Sequence, residues 1–503
     1  MTVAVNNLRK PLQKGNLGLP ADLDRRRNLL WIGLFVLLAS SLLIPFLVVN
    51  EPPLLDYPNH LARTFILAHL NDPTYHFSQY YSADWKPYPY ILWDILMVAL
   101  QRIIPVESAG KFLEMVATIL VPAAVAWFLW QANRSEIKLA LLACALSYYL
   151  PFLWGFTAFH LGMGLCFLMI GTWLWYRRQP SLVRAITFFL ICSATYLAHL
   201  LCFASAALIL LLFELTYIKV RELGLLACYL APLSALALWA RPGLRVQGTV
   251  RWHTVGEKLL WLRRVATQGY NKHLDIAFVG GLLLCLLFAV IGNRELRVNW
   301  RWLLVLLGLL GVYILLPSSW GTNWGIDMRA VPLLCLLMVS VLRVGRRANW
   351  LAALAVVLTA LRVVNITSGF QKEELKVAAM DRGIEQLPRD IRVFPLVEWR
   401  KDPMPVDHYY EHFWAYAVTR RGATSGSLFD IPGQTPMRSI YKPYGHILED
   451  DKIDWSFVSK YYDYVWSYGD EKAQGKIEEI ADKVFEDGPV VLYRIRRQAS
   501  RTD

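Results

Sequence analysis

Between residues 29 and 366 the chain is a succession of long apolar blocks separated by short polar joints, whereas 370–503 mixes polar and apolar positions like a water-soluble domain. A helix needs about 20 mostly apolar residues to cross a bilayer. Blocks of adequate length lie at 29–49, 112–130, 138–153, 159–176, 183–198, 200–217, 224–240, 274–291, 302–316, 330–344 and 350–366. The C-terminal part reads as strands at 389–397, 461–466 and 489–495, with helices at 408–420 and 476–485. That alternation predicts a small α/β domain. No solenoid-type repeat is present.

The segment 88–105 is apolar enough to be a twelfth span, yet it carries Asp94, Gln101 and Arg102. Charge decides the matter. If 88–105 crosses, the basic joints Arg177-Arg178-Arg184, Lys219-Arg221, Arg294-Arg297-Arg301 and Arg343-Arg346-Arg347 fall outside; if it lies along the outer surface, all fall inside. Cytoplasmic loops are the ones enriched in Lys and Arg. We therefore read a polytopic α-helical membrane protein with about eleven transmembrane helices. Juxtamembrane helices lie in the first outer loop, with Asp94 at the surface, and a small α/β extracytoplasmic domain follows. The divisions are a cytoplasmic tail at 1–27, a membrane module at 28–368 with its first outer loop at 51–110, and the outer domain at 369–503. The basic tail followed by a long first block reads as an uncleaved anchor in the cytoplasmic membrane rather than a secretory signal.

Composition agrees. Of 503 residues, 56% are hydrophobic and 18% charged, against about 25% charged in soluble proteins. The net charge of +13 is a topology signal and gives no reason to expect nucleic acid. All seven cysteines fall in apolar stretches without C-x-x-C spacing, so they read as packing residues.

Candidate chemistry gathers on the outer side. In Leu54-Leu-Asp-Tyr-Pro-Asn-His-Leu-Ala-Arg63, Pro58 is placed to open a helix, with Asp56 just before it and His60 and Arg63 on one face. A carboxylate there can act as general base toward a hydroxyl, and an arginine can hold a phosphate. The plain alternative is a helix cap with two headgroup anchors. Asp84 and Lys86 follow in the same loop. His160 and His199 sit at outer span ends, where they could line a cavity. The loop 241–273 places His253 and Lys258 outside against the general bias, and Arg329 stands at the mouth of a later span. Trp399, Tyr409, Tyr410, Trp414, Tyr441 and Tyr444 could stack on sugar faces or simply fill the core. No P-loop, dinucleotide fingerprint, zinc-protease motif or nucleophile elbow is present. No acidic pair in an outer loop marks a metal site, so no cofactor is expected and a divalent metal has little support.

This arrangement resembles the GT-C superfamily of integral-membrane glycosyltransferases, such as protein O-mannosyltransferases and lipid A aminoarabinose transferases. Asp56 matches the position of the first-loop acid, and Arg329 is similar to the basic residue of late outer loops. The usual acidic pair is missing, because Tyr57 follows Asp56. The resemblance implies transfer of a hexosyl or pentosyl group from a polyprenyl-phosphate donor to a glycan, lipid or protein acceptor outside the membrane, with inversion. It implies Asp56 as base, Arg329 with Arg63 or Lys86 on the donor phosphate, and His60 orienting Asp56 or touching the sugar. The rivals are a lipid-linked glycan polymerase or ligase, a transporter, and a non-catalytic membrane scaffold.

Overall fold

The computed structural model describes residues 21–240, 250–267, 270–321, 323–397, 409–440, 453–469 and 473–496. Most of the tail 1–27, with Trp399, Tyr441 and Tyr444, lies outside the described residues.

The chain opens with α1 (Ala21–Ser41) and the single turn α2 (Ile44–Leu47), then forms a polar-side layer of α3 (Tyr57–Ala68), β1 (Tyr81–Ala83) and α4 (Ile91–Leu100). Helix α4 has ten residues, which rise about 15 Å, half of a bilayer's hydrocarbon. It therefore cannot cross as a helix. Asp94 is not at the surface as expected. It is fully buried and accepts from Arg63 Nε at 2.8 Å, pinning α4 to α3.

Helix α5 (Val106–Ala132) then runs the length of the bundle. The expected helix at 138–153 is broken into α6 (Leu141–Ala145) and α7 (Leu150–Leu153), with Tyr149 extended between them. Pro151 sits at the start of α7, where its missing N–H is harmless; inside a continuous helix it would remove a hydrogen bond. Apolarity concealed that break. Next come α8 (Thr157–Arg178), α9 (Leu182–Ala198), α10 (Leu200–Leu215), α11 (Val220–Ala240), α12 (Val255–Ala266) and α13 (Lys272–Val290). Of the described helices long and apolar enough to cross a membrane, α8 is the most buried, and it packs against α5, α9 and α10.

The strand β2 (Arg297–Val298), α14 (Trp300–Leu315) and the hairpin β3 (Ser319–Trp320) and β4 (Asn323–Trp324) lead to α15 (Ala330–Met338) and β5 (Leu342–Arg343). Helix α15 stops short of the expected 344 because residues 342–343 leave it to pair with β2. Helix α16 (Ala348–Gln386) has 39 residues, about 58 Å, roughly twice the hydrocarbon thickness. It carries across residue 369, the expected domain boundary, and ends under a sheet.

That sheet has the order β6-β8-β10-β9, from β6 (Val393–Val397), β8 (Tyr464–Tyr468), β9 (Ala481–Asp487) and β10 (Val490–Ile495), with β6 and β8 parallel. Helices α17 (Tyr416–Arg421), α18 (Trp455–Tyr461) and α19 (Gln474–Ile480) and strand β7 (Met437–Ser439) complete the chain. The charged helix expected at 476–485 ends at Ile480. Asp487-Gly488 makes a tight turn, with Gly488 at φ +57°, and draws 481–487 into a hairpin with β10. Asp-Gly favours such turns.

Five helices are long and apolar enough to cross a membrane among the described residues. The outward face of α13 shows Leu283, Leu284 and Leu287 exposed at 56, 54 and 52%. A surface of that kind suits hydrocarbon rather than water.

Candidate active site

Asp56 is the residue before α3, as expected, but its side chain makes no capping bond. The backbone holds it instead. Asp56 N–H donates to the Trp154 carbonyl and Leu55 N–H to the Leu153 carbonyl, each at 3.1 Å. Beside them Gly155 adopts φ +72°, and a Cβ there would lie 2.7 Å from Asp56 N and 2.8 Å from Tyr57 N. Only glycine permits both that conformation and that approach. The carboxylate is left free to face a cavity.

The cavity has a volume of about 340 Å³. Asp56, His60 and Arg63 come from the α3 region, Tyr90 from the turn into α4, and His199 from the junction of α9 with α10. Trp154, Phe156 and Thr157 come from the turn into α8, Asn323, Trp324 and Arg329 from the loop before α15, and Glu411, His412, Phe429, Ile431, Gln434 and Thr435 from the far end of the chain. That last group is drawn in by three ties. β1 pairs with β7; the Asn59 amide bonds to the backbone of Ser427 and Phe429; and Tyr81 Oη donates to the Ser425 carbonyl at 2.7 Å.

The charged groups of the cavity lie close together. His412 Nε2 lies 3.5 Å from Asp56 Oδ1 and 3.9 Å from Glu411 Oε1. The Arg329 guanidinium stands 4.0 Å over the Phe156 ring, and its buried Nε has no partner among the described residues. Burial pushes Asp56 up to about 7 although Arg329 and Arg63 pull it down. Burial, then the Asp56 charge, pushes Glu411 up to about 8. Burial, with Arg63 and His412 nearby, holds His60 well below its ordinary value, hence neutral. The result is a near-neutral base, a second carboxyl and an arginine facing one space.

The other expected residues are placed as follows. His60, Arg63 and His199 line the cavity. The His199 ring meets Tyr90 edge-on with centroids 4.6 Å apart. His160 does not line it; it is fully buried and its Nδ1 pairs with Glu114 at 3.0 Å inside the bundle. Asp84 and Lys86 pair with each other at 2.9 Å, outside the cavity lining. His253 and Lys258 also stay outside it. They reach the fully buried Asp327 at 2.8 and 3.1 Å, and Lys258 also donates to the carbonyls of Tyr313 and Leu316. Both therefore brace the loop that presents Arg329. Tyr410 and Trp414 are buried core. Sequence reasoning missed Glu411 and His412, which carry no local pattern and become neighbours of Asp56 only through the fold. Among the described residues no group of three His, Cys, Asp or Glu side chains is placed to hold a metal ion.

No protein-family model and no curated protein sequence matches the chain. Solved structures do. The chain is similar to ArnT from Cupriavidus metallidurans bound to undecaprenyl phosphate, with a TM-score of 0.52, 12% identity, and coverage of 92% of this chain and 97% of that one. It is similar to the apo state of the same protein with a TM-score of 0.54, 11% identity and the same coverage. Over nearly its whole length, the chain has an ArnT-like fold.

Proposed function

We propose that this protein is an integral-membrane glycosyltransferase that moves a sugar from a polyprenyl-phosphate donor to an acceptor hydroxyl at the outer face of the cytoplasmic membrane. The observation that carries this reading is one cavity in which an uncapped, near-neutral Asp56 stands with a partly unpartnered Arg329. The fold adds support, because the similar ArnT structure has undecaprenyl phosphate bound.

In this reading Asp56 takes the proton of the acceptor hydroxyl. The acceptor oxygen bonds to the anomeric carbon from the face opposite the phosphate, so the configuration inverts. The bond from that carbon to the phosphate oxygen breaks, and its electron pair leaves with the polyprenyl phosphate. Arg329 balances the charge that grows there. Arg63, already committed to Asp94 through Nε, adds positive potential beside Asp56. In this reading the chain crosses about eleven times, with the broken segment 134–153 and the segment around the nine-residue α15 each continued by non-helical chain and counted as one crossing. Its N-terminus is cytoplasmic and its sheet extracytoplasmic, which places the basic joints inside.

A scaffold needs no such cavity. A polymerase or ligase using the same donor class differs only in its acceptor. The test is to incubate the purified protein with a panel of polyprenyl-phosphate sugars and identify the products by mass spectrometry. Transfer from at least one donor is expected. General-base assistance contributes about 100-fold or more, so Asp56→Asn should lose at least that; undiminished transfer by this variant removes Asp56 from the base role.

A further inference from the structure

The cavity holds a second carboxyl that the reaction above does not use. Glu411 sits on the short helical turn 409–415, which packs on α3. Its side chain is 12% exposed and lines the same space as Asp56, and the His412 imidazole lies close to both. We propose that Glu411 is a substrate-contacting acid: its protonated carboxyl donates a hydrogen bond to a sugar, phosphate or acceptor oxygen while Asp56 serves as the base. The proposal rests on the transferase reading and extends it to a second residue.

The surroundings favour this division. The charged and titratable groups sharing the cavity are Asp56, His60, Arg63, His199, Arg329 and His412, besides Tyr90. Arg63 is shared with Asp94, and His60 is neutral. Arg329 and a shared Arg63 do not balance two carboxylates together with a donor phosphate. Two nearby carboxyls with so little positive charge to share resolve the conflict by keeping one proton. Arg329 and Arg63 favour the ionised form of Asp56, and His412 Nε2 lies nearer to Asp56, at 3.5 Å, than to Glu411, at 3.9 Å, so Glu411 keeps the proton; its higher value, about 8 against about 7, agrees. An ionised Glu411 would instead repel an incoming phosphate. As a neutral acid it becomes a donor, a use of buried carboxylic acids seen in other enzymes.

The test uses the full-length protein in lipid nanodiscs. Infrared difference spectroscopy across a pH titration should show the carbonyl stretches of two protonated carboxyls lost in turn near neutrality, and the band lost at the higher pH should be missing from Glu411→Gln while the Asp56 band remains. Absence of the higher-pH band from the wild type overturns the acid, whatever the substrate is. In the transfer assay the wild type should give a bell-shaped rate profile, the acid limb from Asp56 and the alkaline limb from Glu411. Glu411→Gln keeps a hydrogen-bond donor but cannot titrate. Its rate should fall about tenfold, the effect of one weakened hydrogen bond, and its alkaline limb should vanish. Glu411→Ala should lose about 100-fold. An unchanged alkaline limb in Glu411→Gln, or a wild-type rate in Glu411→Ala, overturns the contact with substrate. A wild type that shows the higher-pH band but turns over no polyprenyl-phosphate sugar overturns the donor reading and the contact with it, while the protonated carboxyl stands.

Discussion

Arg329 shows how a single residue acquires a function through what it lacks. A guanidinium with a buried Nε normally spends it on a carboxylate or carbonyl, yet among the described residues this Nε finds no partner and the plane rests on Phe156. An anion entering the cavity would supply the missing bonds. A hydrogen bond involving a charged group contributes about 1.5–3 kcal/mol. Arg329→Ala should therefore weaken binding of undecaprenyl phosphate by roughly ten- to 100-fold, measurable by calorimetry in nanodiscs. Arg329→Lys should recover only part, because a lysine cannot make the paired contact. Equal affinity in all three proteins would detach Arg329 from the phosphate. Asp56 and Arg329 were both legible in the sequence, since each sits at a junction between an apolar block and a polar loop. His160 misled, because a histidine at a block's end looks the same whether it turns into a cavity or toward a buried Glu114.

At the scale of elements, the loop between α14 and α15 is held by one buried carboxylate. Asp327 receives His253 Nδ1, Lys258 Nζ and the Met328 N–H, fastening the loop to α12. Breaking a buried pair by removing one partner costs about 3–5 kcal/mol, because the other charge stays buried. Asp327→Asn should lower the thermal midpoint and raise the KM for donor, since Arg329 lies two residues on. It should leave the acid limb of the pH profile in place, because Asp56 is anchored separately by 153–155. A shifted acid limb would mean that the loop also shapes the Asp56 environment. The outer basic residues of 241–273 were read as ligands for a phosphate. Of these, His253 and Lys258 turn inward to Asp327. Composition cannot distinguish a cation that meets a substrate from one that meets Asp327. The helices were legible wherever apolar length and caps agreed. The errors fell at Pro151 and Asp487-Gly488, where two residues of backbone chemistry outweighed a long stretch of pattern.

For the molecule as a whole, the fold draws the outer loop and the chain's far end into one site, and this makes stability depend on pH. Asp56 and Glu411 hold protons more tightly when folded, at about 7 and about 8, than the about 4 expected of unfolded carboxyls. Groups shifted upward add stability that is full below the unfolded value and is lost as pH rises through the folded value. The ligand-free protein should melt at lower temperature at pH 8 than at pH 5 by differential scanning fluorimetry. Asp56→Asn and Glu411→Gln should each flatten that slope; parallel slopes in wild type and variants would exclude these two groups as its source. This long-range pairing was also the least legible feature. Glu411 and His412 meet α3 because β7 pairs with β1 and because Asn59 reaches the backbone of 427–429.

Helix α16 carries a mechanical consequence. It is unbroken over 39 residues, and it holds the turn bearing Glu411 and His412 through Tyr410 to Glu373 and Arg420 to Asp381. A rod about 58 Å long that tilts by about five degrees at one end moves the other by about 5 Å. That exceeds the 3.5 Å between His412 and Asp56. A helix that acted as such a lever would let the spacing of His412 and Asp56 be set in part at the opposite end of the molecule.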